Sequence, residues 1–528
     1  MLSLIPDFTR TDRPLHLDET VHLAHVFQQN EQEFRVVALT ALPDWRQQLA
    51  EVQLFEAPRW NAFDIIQAVH EEDGLPLTVN QLPVPTTWEA TYLPTEVVYY
   101  DGRKEAARAK LHAAGFVNEL IYAERDGLVE HDQFDDRGFC TWRTWYAGDD
   151  LQRRTWYTPT GDEVMSMTPD GAITIAPEQQ HRFDAVNYPN LPALVAEVAQ
   201  HALADSQTTG PFIATLTPAG VNLRNRIPNL QAVTYLSAAT QQQLTMQKTQ
   251  LPLLSAADTV VLPSRLDRQR VAELDKQLDQ PILPAVRYMP TYATTLDLGI
   301  SNELSMQIIA WNVSDLAESE QGQILHGQLK QLRQHNDRSL QIGGIDADRG
   351  KWFEAQLDKW LGADFGFDVD GPEYTLTRDF LAAQADGKLT PDMTSEMQDL
   401  QKTSLWQRIA AALAFKQRVT IAPDMTATDW AALLHNARLL VDTGSRPNLA
   451  LQVAAVSAGI PQITLVASDL LHDGGNGRVV RNPGELTTAV TYYLGTLSHW
   501  NEALVCSADL IEEYAAPHIM AAWKEVIG

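Results

Sequence analysis

The sequence predicts an α/β protein made of two doubly wound, Rossmann-like domains, the first of them interrupted by an inserted antiparallel β-sheet domain. Three observations lead there. Short apolar runs alternate with amphipathic helical segments in both halves of the chain, the pattern of parallel strands joined by crossover helices. Between Phe139 and Ile175 the pattern changes to short aromatic-rich segments separated by AGDD, TPTGD and TPDG. Those turn signals recur about every ten residues, as in a β-meander. The helix and strand alternation then resumes at Leu191, which makes the first domain discontinuous.

The elements follow in order. Asp18 to Gln29 reads as a helix, Phe34 to Leu39 as a strand and Ala62 to Val69 as a second helix, so residues 1–94 open the first domain. The run EVVYYD begins the insertion, residues 95–177, where Trp142, Trp145, Tyr146, Trp156 and Tyr157 are residue types that favour strands. Residues 178–294 return to the first domain with a helix at Leu191 to Ala204 and strands at Phe212 to Leu216, Val233 to Leu236 and Thr259 to Leu262. The Gln-rich stretch from Thr240 to Gln250 reads as a solvated helix. Residues 295–505 form the second domain, starting with a strand at Ser305 to Trp311, a helix at Gln321 to Gln334 and a strand at Ser339 to Gly343, and continuing through Trp406 to Phe415. The last segment, 506–528, is helical from Ala508 to Val526 and kinked at Pro517. It is expected to cross back to the first domain with Trp523 as anchor.

Composition narrows the function classes. With 528 residues and 45% hydrophobic content the chain can fill two or three cores. Its 68 acidic and 40 basic residues give a net charge of −28, which argues against nucleic acid or an anionic membrane as the main partner. The opening MLSLIPDFTRTDRP has no basic leader before an apolar run, and no stretch approaches the roughly 18 apolar residues that cross a bilayer. The expected location is the cytoplasm, with any membrane association peripheral and through partners. Cys140 and Cys506 have no second cysteine at metal-ligand spacing and read as buried free thiols.

The segment SRPNLALQVAAVSAGIPQITLV, residues 445–466, carries the strongest motif. Leu439 to Val441 reads as a strand, Gly444 and Ser445 as its turn, Asn448 to Ala458 as a helix with Pro447 in its first turn, and Ile463 to Val466 as the next strand. Gly459 suits a left-handed helix end. In such a unit Gly444 and Ser445 sit where a nucleotide phosphate meets a helix N-terminus; the same residues also read as an alanine-rich helix packed for structure alone. The segment resembles the nucleotide-sugar segment of retaining glycosyltransferases of two Rossmann domains, which carries two glutamates ahead of a small residue, Gly, any residue and Pro. With Gly459 and Pro461 fixing the register, those two positions hold Arg446 and Ala454. Active relatives also place an Arg and Lys pair near the first strand of the second domain. Here no Lys or Arg lies between Arg287 and Lys330, and the loop offers Asp315, Glu318 and Glu320 instead. Gly444, Ser445, Arg446, Ala454, Gly459 and Pro461 therefore outline a vestigial nucleotide-sugar cleft with no catalytic residue.

Other constellations carry less. Gly474 to Gly477 lacks the Lys and Ser/Thr of a phosphate-binding loop and reads as a turn. His131, Asp132, Asp135 and Asp136 read as the polar edge of the insertion, although they have cation-binding chemistry. Asp364, Asp368 and Asp370 lack the spacing of a calcium loop. No G-x-S-x-G elbow or H-E-x-x-H pair is present. No metal or cofactor is expected.

Several pieces spread along the chain resemble the first member of the Asp family of the accessory Sec system: LAHVFQ near the N-terminus, RWNAFDIIQ at 59–67, FDDRGFCTWRTWY at 134–146, TPTGDEVM at 158–165 and VSAGIPQI at 456–463. The resemblance implies a family B glycosyltransferase-like fold with an extended β-sheet insertion. It also implies a non-catalytic scaffold that works with two other accessory Sec proteins in the export of glycosylated serine-rich adhesins, with the motor ATPase and the adhesin as further partners. Two alternatives stay open on the residues: an active glycosyltransferase using a nucleotide sugar, and a lectin-like glycan-binding module. Trp142, Trp145 and Trp156 are the candidate partner-binding positions.

Overall fold

The computed structural model describes residues 1–8, 15, 18–70, 74–204, 211–215, 232–235, 258–276, 285–313 and 316–527. The Gln-rich stretch from Thr240 to Gln250, residues Leu216 and Leu236, and Asp315 lie outside the described residues. The chain forms two compact units: Met1–Thr291 together with Ile519–Gly528, and Tyr292–His518.

Among the described residues, the first unit is built on a seven-stranded, wholly parallel sheet. Its strands lie in the order Ala285–Tyr288, Thr259–Leu262, Ala232–Tyr235, Phe212–Thr215, Leu2–Ile5, Phe34–Ala38 and Arg59–Asn61. Strands covered on both faces read as continuous apolar runs, and LSLI and TVVL are buried throughout. The helix Glu19–Gln29 starts where Asp18 caps it, the Asp18 carboxylate accepting the Thr20 N–H at 2.8 Å. The expected helix from Ala62 stops earlier, at Ile66. Ala68 sits at φ 55° just beyond it and carries the chain out of the helix.

The inserted sheet has ten antiparallel strands in chain order, from Glu89–Tyr92 to Asn187–Tyr188. It is wider at both ends than 95–177. Two separate cores anchor it. Val97, Tyr99, Ala107, Ala109, Leu120 and Phe134 pack with Leu82 of the preceding segment. Trp156, Val164, Met165, Ile173 and Ile175 pack with Phe63, Ile66, Leu194 and Val198 of the first unit's helices.

The acidic residues 132, 135 and 136 are not the solvated edge that their composition suggests, because each is buried against an arginine. Asp132 pairs with Arg143 at 2.5 Å, Asp135 with Arg137 at 2.6 Å and Asp136 with Arg46 at 2.8 Å. Asp136 also accepts the N–H groups of Arg46 and Gln47, so the insertion caps the helix Trp45–Glu51 whose own Asp44 makes no side-chain cap. Arg137 reaches on to Asp64 at 2.8 Å, and Gln67 donates to the carbonyls of Thr141 and Tyr157. The motif pieces RWNAFDIIQ and FDDRGFCTWRTWY are thus two sides of one contact. Gly138 closes this loop at φ 92°, where a Cβ would run into the Leu75 carbonyl. Burial also pushes the Cys140 thiol up to about 12. Native Cys140 is therefore expected to resist iodoacetamide at pH 8 and to react only after unfolding, read by mass spectrometry of the alkylated peptide.

The second unit has a six-stranded parallel sheet among the described residues, in the order Val419–Ile421, Arg338–Gly343, Gln307–Asn312, Ala437–Asp442, Gln462–Thr464 and Gly477–Val479. Numbered within the unit this is 3-2-1-4-5-6, the doubly wound order of dinucleotide-binding sheets. The C-terminal segment is not one kinked helix. Leu497–Glu513 ends at Tyr514 and a separate helix, Ala516–Ile527, follows. Pro517 lies in the first turn of the new helix, where its missing N–H is not needed. Trp523 on that helix is fully buried, edge-on to Phe27 with ring centroids 6.3 Å apart.

Candidate functional site

In a sheet of this order, ligands bind beyond the carboxyl ends of the first and fourth strands, where the crossovers diverge. Those ends are Asn312 and Asp442, direct neighbours in the ladder. The Asp442 carboxylate is 2% exposed. It accepts hydrogen bonds from Asn312 Nδ2 at 2.8 Å and from the backbone N–H groups of Gly444 at 3.3 Å and Asn448 at 3.1 Å. Asn448 caps the helix Leu449–Ser457, its side-chain oxygen accepting the Leu451 N–H at 3.2 Å. Beside them Thr443 Oγ1 accepts the Trp311 indole N–H at 2.9 Å and lies 3.1 Å from the carbonyls of Asn312 and Val313. Gly344, at φ 71°, lets the backbone pass the Asn312 side chain, where a Cβ would collide.

The consequence is electrostatic. Backbone donors at the head of a helix are what a phosphate uses, and here a fixed internal carboxylate already engages the N–H of the capping residue Asn448 together with that of Gly444 in the turn before it. An incoming diphosphate would also face that like charge. At an effective dielectric of about 20, two unit charges about 4 Å apart repel by about 4 kcal/mol.

The predicted cleft residues do not form one cluster. Gly444 is buried, Ser445 exposed and Arg446 half-buried at the carboxyl end of strand Ala437–Asp442. Ala454, half-buried, packs against the core formed by Ala310, Trp430, Leu440 and Leu451. Gly459 and Pro461 lie at the far end of the same helix, which at about 1.5 Å per residue separates them from Gly444 by its whole length. Gly459 ends that helix at φ 70°, with its N–H on the Val456 carbonyl and the Ile460 N–H on the Ala455 carbonyl, both at 3.0 Å. Pro447 precedes the Asn448 cap and is not in the first turn, because the Asn448 side chain is what starts the helix.

The three tryptophans of the insertion also separate. Trp156 is 1% exposed and belongs to the core, which corrects its assignment as a partner-binding position. Trp142 stands opposite Trp156 in the ladder, half-buried on the same core. Trp145, three residues on, points to the opposite face by the two-residue alternation of a strand. It is half-exposed between the guanidinium groups of Arg143 and Arg153, 6.0 and 5.4 Å from its ring centroid. Asp184, Glu197 and His201 bring potential ligand atoms within 4.8 Å of one another. Both Glu197 oxygens already accept the Tyr188 hydroxyl, at 2.7 and 2.8 Å.

Sequence reading missed Asp442 and Asn312. A signal existed in the string VDTGS, where an acid ends an apolar strand just before a Gly turn, but the hydrogen-bond partner lies 130 positions away.

Comparison with known proteins agrees with this architecture. A solved complex of accessory secretory proteins 1, 2 and 3 from Streptococcus pneumoniae contains a chain similar to this one, with a TM-score of 0.73, 20% identity and 99% of this chain and 98% of that chain covered. The fold is also that of family B glycosyltransferases. The pneumococcal O-GlcNAc transferase GtfA, solved with UDP and GlcNAc, matches with a TM-score of 0.66 at 11% identity over 100% of this chain and 98% of that chain. The first Asp protein of the accessory Sec system of Streptococcus gordonii is 24% identical over 530 residues, 99% of this chain and 95% of that protein. The model of the family formed by that first Asp protein of the accessory Sec system matches residues 4–527, and the chain belongs to that family.

Proposed function

We propose that this chain is a non-catalytic, glycosyltransferase-like scaffold that acts in the cytoplasm with two other accessory Sec proteins during export of glycosylated serine-rich adhesins. The observation that carries the non-catalytic part is the Asp442 carboxylate, which holds backbone donors at the point where a nucleotide diphosphate would bind. Arg446 and Ala454 at the two glutamate positions support it, as does the absence of Lys and Arg from the sequence between Arg287 and Lys330. The partners follow from family membership and from a similar chain having been solved together with accessory secretory proteins 2 and 3. The cytoplasmic location belongs to the same reading; among the described residues no helix is long and apolar enough to cross a membrane. The inserted sheet is then the interaction domain, with Trp145 the candidate anchor among the three tryptophans. The motor ATPase and the adhesin are further partners.

The purified chain is expected neither to transfer nor to hydrolyse sugar from a panel of nucleotide sugars, and Ala454→Glu is expected not to restore turnover. Multiple-turnover transfer that disappears in Asp442→Asn would make the scaffold reading untenable and favour an active enzyme.

A further inference from the structure

The two edges of the inserted sheet differ. At one, Asn187–Tyr188 is only two residues long and runs directly into Pro189, whose missing N–H blunts the edge. At the other, Glu89–Tyr92 has all four residues exposed and pairs only with Glu96–Asp101. The two-residue turn at Pro94 and Thr95 fixes which backbone groups are used. Leu93 donates its N–H to the Glu96 carbonyl at 2.8 Å, so by antiparallel alternation Thr91 and Glu89 direct theirs inward to Val98 and Tyr100. Thr95, of opposite parity to Glu96 before the partner strand, accepts from Leu111 on the other side of the hairpin, at 2.9 Å. Ala90 and Tyr92 therefore turn N–H and C=O away from the sheet, and no described residue bonds to those amides. Two apolar side chains stand beside this free edge, Tyr92 at 66% and Leu93 at 44% exposure.

The charge around the edge selects the occupant. The sequence has no Lys or Arg between Arg59 and Arg103, and Glu89 sits exposed on the edge strand itself. A second copy, itself carrying a net charge of −28, would approach against the long-range repulsion of two strongly acidic chains.

We infer that the outer edge of Glu89–Tyr92 receives an extended strand from a different chain, with Lys or Arg opposite Glu89 and apolar side chains against Tyr92 and Leu93. Backbone hydrogen bonds supply the attachment, and the alternate side chains supply the selectivity. The inference rests on the proposed scaffold role in drawing that strand from one of the two other accessory Sec proteins.

The test uses the full chain, alone and co-purified with those two proteins from the same host. In the complex the amides of Ala90 and Tyr92 are expected to exchange with deuterium at least about tenfold more slowly than in the free chain. Tyr92→Pro, which removes one outward N–H, and Glu89→Lys, which opposes a basic strand, are each expected to weaken assembly about fivefold or more. A complex that forms while both amides exchange unchanged and both variants bind like the wild type overturns the edge and leaves the scaffold intact. Failure of the wild-type chain to gather either protein overturns both readings. Protection of the same amides in a dimer of the chain alone makes a second copy the occupant and overturns the inference.

Discussion

Replacing Trp523 by alanine is expected to destabilise the first unit by about 3–5 kcal/mol, the range for removing a fully buried aromatic side chain. The indole is completely buried, edge-on to Phe27, which is itself fully buried and stacks at a tilt on Phe34 with centroids 6.0 Å apart. The cavity would open between the C-terminal helix and the helix Glu19–Gln29, neither of which is long enough to persist without tertiary packing. Urea denaturation should show the loss, and hydrogen exchange should place it, with the amides of Glu19–Gln29 exchanging faster. An unchanged midpoint would mean that the last helix is a passive tail.

A comparable loss is expected from Arg137→Ala, about 3–5 kcal/mol at pH 7.5, because it leaves a buried carboxylate without its counter-charge. Asp135 is 4% exposed, and burial pushes its carboxyl up to about 6 even with the Arg137 guanidinium beside it holding it down. Removing the guanidinium raises that value further. The sign then follows from proton binding. A carboxyl whose folded pKa lies above its unfolded value holds more protons when folded, so its stability contribution improves as pH falls through the folded pKa and worsens as pH rises through it. The gap between wild type and Arg137→Ala should therefore narrow from pH 7.5 to pH 5, where the variant's Asp135 is protonated and neutral. Thermal or urea midpoints at the two pH values check this. A gap that stays constant would mean that Asp135 has found another partner or water.

Both predictions concern residues whose importance is unequally visible in the sequence. Trp523 stands out as a tryptophan on an apolar helical face, and the periodicity that buries it is local. Arg137 and Asp135 form part of FDDRG, which reads as a polar loop because the sequence records acidity but not what covers it. Only the fold brings Asp64, 73 positions earlier, to the same guanidinium. The same limit affected the tryptophans. Strand alternation separates Trp145 from Trp142 and Trp156, but which face the helices of the first unit cover is a property of the assembled unit. Trp156 was therefore legible as a strand residue and not as a core residue.

The sequence by itself determined the class of the protein: alternating strands and helices, an aromatic meander inserted among them, a helix closed by Gly459, and a nucleotide-sugar frame with Arg446 and Ala454 in place of acids. These are features of local periodicity, turn chemistry and residue identity, which act over a few positions. The tertiary structure decided the rest. It put Asn312 against Asp442, turned the acidic loop into buried ion pairs that cap a neighbouring helix, and left Ala90 and Tyr92 facing outward on a sheet edge. Each of these depends on strand order and register, and so on contacts between residues far apart in the chain, where charge and hydrogen-bonding capacity are fixed by the sequence but their partners are not.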